Sequence, residues 1–134
     1  MFSRINSMGL FGMDSYMVQV EADLSQGLPR FDIVGLPDAA ISEAKNRVRS
    51  AIKNTGFAFP VSRITVNLAP ADTRKEGSVY DLPILMALLK AGRQINFDAH
   101  NMAFNGEGAR DGLVRRLDGA LPMVRTAAKN GIKT

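Results

Sequence analysis

The sequence predicts an α/β fold, a two-layer sandwich in which a mixed sheet carries its helices mainly on one face. Three observations carry that reading. Ile64, Val66 and Leu68 alternate with Thr65 and Asn67, the period of a strand with one buried face. Ile41, Ala44, Val48, Ala51 and Ile52 recur at helical spacing instead. Taken along the chain, the order is strands, helix, strand, helix, strands, helix, which closes most simply as helices packed on a sheet.

Residues 2 to 8 and 14 to 23 read as a hairpin whose strands are separated by Gly9 to Met13. In the second of them Tyr16, Val18, Val20 and Ala22 alternate with Met17, Gln19, Glu21 and Asp23. Ser25-Gln26-Gly27-Leu28-Pro29 is a turn by composition, and Phe31 to Val34 forms a third short strand ending at Gly35.

Pro37-Asp38 opens the first helix, with Asp38 placed to accept from the free N–H groups of the first turn. Asn54-Thr55-Gly56 stops it. Its outer face carries Lys45, Arg49 and Lys53 at four-residue intervals, and Glu43 is spaced to pair with Arg47. That basic stripe reads either as an ordinary solvated face or as a docking surface for nucleic acid or an acidic partner.

The segment from Pro60 to Gly92 organises the rest. The strand Arg63 to Leu68 empties into the loop Ala69 to Gly77, and the apolar run Leu82-Pro83-Ile84-Leu85-Met86-Ala87-Leu88-Leu89 follows. Asp81 is the expected N-cap of this second helix, which puts Pro83 in the first turn, where it costs no helical hydrogen bond. A helix apolar on nearly every side requires cover on nearly every side.

Beyond Gly92, residues 94 to 101 form a connector holding the single histidine, His100, which has no cysteine or ligand cluster to join. Met102-Ala103-Phe104 is strand-like. The glycine-rich stretch Asn105 to Gly112 returns through Leu113-Val114-Arg115-Arg116 as a hairpin, because no Gly-Lys-Ser/Thr follows it. Gly119 to Gly131 forms the last helix, and Ile132-Lys133-Thr134 looks like the opening of another strand. A domain rarely stops on the first residues of a strand, so residues 1–134 read as one domain cut from a longer protein.

At 134 residues the chain is long enough for a real core without staples. The absence of cysteine excludes disulfide scaffolds and thiolate metal sites, and no His/Asp/Glu cluster has metal-ligand spacing. Neither a signal-peptide pattern nor an apolar run of membrane-spanning length occurs, so a cytoplasmic location and no membrane partner are expected. The balance of 17 Lys and Arg against 13 Asp and Glu gives a formal charge of +4, which permits contact with a polyanion without demanding it.

A family resemblance rests on several of these pieces. Asn67-Leu68-Ala69-Pro70-Ala71-Asp72, Lys75-Glu76-Gly77 and Asp81-Leu82-Pro83 occur in order. Gly27-Leu28-Pro29, Ile33-Val34-Gly35-Leu36-Pro37, Arg47-Val48-Arg49-Ser50-Ala51 and Gly119-Ala120-Leu121-Pro122 accompany them. Together they resemble the N-terminal domain of the magnesium-chelatase-like AAA+ ATPases, the ComM/YifB family of bacteria. The resemblance implies a Lon-protease-like fold, shared with the second domain of a small-subunit ribosomal protein. It also implies a downstream motor that uses ATP and magnesium, assembles as a ring and, in ComM, serves DNA branch migration during natural transformation. Gly108 departs from the family's glycine-rich hairpin, where an apolar residue is preferred.

Lon-type proteases attack with a serine at the mouth of the central helix, activated by a lysine from the start of the last helix. The resemblance places Val79 and Leu121 at those two positions, so the dyad is replaced by aliphatics. No Walker element occurs either. This segment is therefore expected to be noncatalytic and to bind no cofactor, acting as an accessory domain for assembly or DNA guidance. Its candidate anion or DNA contacts are Arg47, Arg49, Lys53, Arg63, Arg74 and Lys75. The loop at the helix mouth, with Glu76, Gly77, Ser78 and Asp81, reads either as an anion seat at a helix N-terminus or as the means of capping and turning the chain. A hydrolase with an altered serine site at Ser78 is the alternative from a different class. Nothing in the sequence points to chelation of magnesium into a porphyrin.

Overall fold

In the computed structural model, which describes residues 1–11, 14–70, 80–96, 103–104, 107–108 and 114–115, the alternating segments pair into a four-stranded mixed sheet. Its strands are β1 (Phe2–Phe11), β2 (Asp14–Ser25), β3 (Arg30–Val34) and β4 (Arg63–Ala69), ordered β1-β2-β4-β3. β1 with β2 and β2 with β4 run antiparallel, while β3 and β4 run parallel. Parallel neighbours need a crossover connection, and helix α1 (Asp38–Asn54) supplies it. Helix α2 (Asp81–Ala91) follows β4 in the chain. Two short strands, β5 (Glu107–Gly108) and β6 (Val114–Arg115), pair with each other, which agrees with the expected glycine-rich hairpin. Ala103 makes an isolated parallel bridge to Asn6, whose carbonyl accepts from the Phe104 N–H at 2.8 Å.

Register puts the apolar positions on one face. Ile5 lies opposite Val20, Phe31 opposite Ile64 and Ile33 opposite Val66. These side chains join Val48 and Ile52 of α1 and Ile84 and Leu88 of α2 in a single core. Each such aliphatic side chain taken from water contributes about 1.5–3 kcal/mol. On the opposite face Arg4 pairs with Glu21 directly across the strands at 2.8 Å, and Arg63 and Thr65 are exposed. The fold is the expected α/β two-layer arrangement.

α2 is covered as its composition demands. Pro83, Ile84, Ala87, Leu88, Leu89 and Ala91 are buried, and Leu82, Leu85 and Met86 are half-buried. The helix packs on β1, β2 and α1. Ser3 Oγ ties it to the sheet by donating to the Ala87 carbonyl at 2.6 Å. Among the described residues no helix is long and apolar enough to cross a membrane.

Three local details differ from expectation. The hairpin strands extend to Phe11 and back from Asp14, so the wider break expected from Gly9 to Met13 closes to residues 12 and 13. Gly9 sits inside β1 opposite Tyr16, whose phenolic oxygen lies 2.6 Å from where a Cβ on Gly9 would be. The aromatic ring fills the gap that normally makes glycine a weak strand residue. Asp38 is the first residue of α1 rather than its cap: Pro37 holds that position, and no side-chain cap bond forms. Asp38 still places negative charge near the positive end of the helix dipole. Asp81 likewise begins α2, behind Tyr80, and its carboxylate is bound by Arg47.

Gly35 carries the turn from β3 into α1. Its φ is +106°, and a Cβ there would lie 2.6 Å from the Leu68 carbonyl oxygen. A side chain is excluded by both the backbone and the space.

Candidate nucleic-acid interface

The basic stripe of α1 does not simply face solvent. Phe31 points from edge strand β3 toward α1, and Phe59 comes from the segment between α1 and β4; their ring centroids lie 5.5 Å apart at 48°. The Arg49 guanidinium stands over both rings, 5.5 Å from the Phe31 centroid and 5.4 Å from that of Phe59. Lys45 Nζ lies 5.9 Å from the Phe31 centroid. Cation–π attraction at this range orders the long Arg49 side chain without neutralising it.

Around this cluster opens a cleft of about 340 Å³. Arg49 and Lys53 of α1 line it together with Arg30, Phe31, Phe59, Pro60 and Val61. Phe59, Pro60 and Val61 come from an extended segment with little secondary structure, and Gln94 holds it in place. The Gln94 amide donates to the Ala58 carbonyl at 2.7 Å, and its oxygen accepts from the Ala58 N–H at 2.9 Å. Arg30 pairs with Asp32 at 2.8 Å. Among the described residues Arg49, Lys53 and Arg63 have no carboxylate within ion-pair distance, and no Asp or Glu lines the cleft. Its field is positive, and its walls are largely aromatic, proline and aliphatic.

Arg47 is separated from this group. Its Nε donates to Asp81 Oδ2 at 2.6 Å and its Nη2 to Oδ1 at 3.3 Å, the two-pronged geometry that guanidinium and carboxylate favour. Glu43, one turn earlier in α1, lies 3.7 Å from Nη1 as its spacing suggested. Arg47 thus ties α1 to the start of α2, whereas Arg49 and Lys53 face the cleft. Arg63 begins β4, exposed, beside Arg30 in the parallel register. Arg74, Lys75, Glu76, Gly77 and Ser78 lie outside the described residues, as do Val79, His100, Leu121 and the expected last helix.

At the start of α2, buried Tyr80 shares a hydrogen bond with Tyr16. Burial, reinforced by the neighbouring Tyr16 hydroxyl, pushes its phenol well above the ordinary value of 10.0. Ser7 Oγ is buried with no hydrogen-bond partner among the described residues. Among the described residues no group of three or more His, Asp or Glu is placed to hold a metal ion.

Phe31, Phe59 and Gln94 were not singled out by sequence reasoning. The available signal was Phe57-Ala58-Phe59-Pro60, an aromatic run in a connecting segment, where connecting segments more often carry function than core.

Comparison with known proteins gives the family. The model for subunit ChlI of Mg-chelatase matches residues 20–134. The chain is 42% identical over 134 residues to YifB of Escherichia coli (strain K12), across 98% of this chain and 26% of that protein. It is 42% identical over 129 residues to the competence protein ComM of Haemophilus influenzae, across 94% of this chain and 25% of the relative. Mb2921c of Mycobacterium bovis is 41% identical over 129 residues, with 96% and 26% covered. The chain belongs to the magnesium-chelatase-like family, in its ComM/YifB group. It spans about a quarter of the length of these curated relatives.

Proposed function

We propose that this chain is a noncatalytic accessory domain of a ComM-type AAA+ ATPase and that it guides nucleic acid through the cleft lined by α1 and Phe59. The observation that carries this reading is the Arg49 guanidinium, held over Phe31 and Phe59 beside Lys53 with no carboxylate among the described residues to neutralise it. Ordered cations beside aromatic and proline surface suit a phosphate backbone with exposed bases. Kinship with a protein named for competence favours DNA as that polyanion.

In this reading ATP and magnesium are used by the motor that follows this domain in the parent protein, and the motor and a ring of like subunits are its partners. Chemistry within the domain itself has little support, since Val79 and Leu121 stand where the resemblance places the protease dyad and the sequence has no Walker element.

The test is binding of this chain to fluorescently labelled DNA across a salt series. Reversing charge in Arg49→Glu/Lys53→Glu is expected to weaken binding by at least about tenfold and to flatten its salt dependence by about one unit of slope per lost phosphate contact. Unchanged affinity and slope would remove the cleft from the DNA path.

A further inference from the structure

We infer that the cleft seats one unstacked nucleotide of single-stranded DNA, its base against the apolar wall and its phosphate on Arg49 and Lys53. This rests on the nucleic-acid reading above and narrows its substrate.

A duplex offers phosphates at its outside but keeps its bases stacked, so only a surface row of cations would be used. Here the cations border a recess. Its volume of about 340 Å³ falls at the low end for small-molecule sites, suited to one nucleoside and too small for a stacked pair. Pro29, Phe59, Pro60 and Val61 contribute apolar lining, and the Phe31 and Phe59 rings are the aromatic kind of surface on which single-strand binders lay bases. Arginine adds a planar face that a base can stack on and a lysine cannot offer.

The rim points the same way. Val61, in the wall, is 84% exposed, and Leu28, next to Pro29, is 88% exposed. Two aliphatic side chains standing nearly free beside a cationic recess contribute nothing to phosphate binding. They provide apolar surface for the bases that flank the seated one, which an unpaired strand exposes and a duplex hides. A free nucleotide has the same base-and-phosphate chemistry but leaves this rim uncovered, so a strand is the occupant that uses the whole surface.

The experiment compares an oligothymidylate, a duplex of equal length and an abasic strand of equal length by fluorescence anisotropy. It adds a strand carrying a central 2-aminopurine, whose emission reports stacking on the unsubstituted chain. The single strand is expected to bind about tenfold more tightly than the duplex or the abasic strand, with a change in 2-aminopurine emission at saturation. Arg49→Lys, checked for folding by circular dichroism, should lose most of that preference, because charge is kept and the planar face is lost. Thymidine monophosphate at millimolar concentration should fail to displace the strand. Equal binding of strand and duplex, an emission that does not change, an unaltered preference in Arg49→Lys, or ready displacement by the mononucleotide would each overturn the inference. Equal binding that still responds to Arg49→Glu/Lys53→Glu leaves the broader DNA reading standing, whereas no binding to any of the DNAs removes both.

Discussion

Arg47 of α1 holds the carboxylate of Asp81, the first residue of α2, with Nε 2.6 Å from Oδ2, and Asp81 is only 3% exposed. A carboxylate so far from water is tolerable only with a partner that meets both its oxygens. The pair therefore fixes the second helix against the first.

Removing one partner should cost far more than removing both. Arg47→Met removes the cation that meets both Asp81 oxygens, with an expected loss of about 3–5 kcal/mol in urea denaturation. The double variant Arg47→Met/Asp81→Leu should recover most of that loss. A single variant close to the unsubstituted chain would mean that Asp81 is not held by Arg47 in solution.

The two buried serines of β1 separate a made hydrogen bond from an orphaned hydroxyl. Ser3→Ala removes the 2.6 Å bond to the Ala87 carbonyl and should cost about 1 kcal/mol. Ser7→Ala removes a buried oxygen with no partner among the described residues and should be neutral or stabilising by up to about 1 kcal/mol. Chemical denaturation of the two variants side by side checks the order.

Tyr80 predicts an alkaline limit to stability. Its folded-state pKa is raised above the unfolded value of 10.0, so the native state keeps a proton that the unfolded chain gives up. The associated stability is fully present below pH 10 and falls as pH rises beyond it, since the unfolded state then binds fewer protons. Thermal melts of Tyr80→Phe should show a shallower decline above that pH than the unsubstituted chain. Absorbance titration is readable because Tyr16 and Tyr80 are the two tyrosines of the sequence. Tyr80 should ionise only as the chain unfolds.

Gly35 and Gly56 separate crowding from backbone strain. Both have positive φ, +106° and +88°, but a Cβ on Gly56 would meet nothing within 4 Å. Gly56→Ala should cost about 1 kcal/mol for its conformation alone. Gly35→Ala must also displace the Leu68 carbonyl, so its melting temperature should fall further, by an amount corresponding to about 3 kcal/mol or more.

A serine-directed fluorophosphonate should leave the chain unlabelled, since Val79 and Leu121 occupy the two positions the resemblance assigns to nucleophile and base. Stoichiometric labelling at Ser78, followed by mass spectrometry of the peptide, would restore the hydrolase alternative.

Much of the architecture was legible because burial leaves a period in the sequence. Ile64, Val66 and Leu68 declared the inner face of β4, and Ala44, Val48, Ala51 and Ile52 that of α1, before any packing was known. The turn glycines and the all-round apolar run of α2 were equally plain. Helix starts were read less well. Asp38 and Asp81 have the chemistry of caps, but one residue of offset puts each inside its helix, and periodicity does not resolve a single residue.

The candidate site was legible only in half. Four-residue spacing showed that Lys45, Arg49 and Lys53 share a helix face and set Arg47 apart with Glu43, but it did not show which other segments each arginine would meet. The sequence by itself determined which side chains are apolar, which are charged, and the period on which each falls. Only the tertiary structure decided that Arg47 turns onto Asp81 while Arg49 rests over Phe31 and Phe59. The reason is physical: Asp81, Phe31 and Phe59 stand on other segments of the chain, and a charged side chain takes its role from the partners that folding brings within a few ångströms of it.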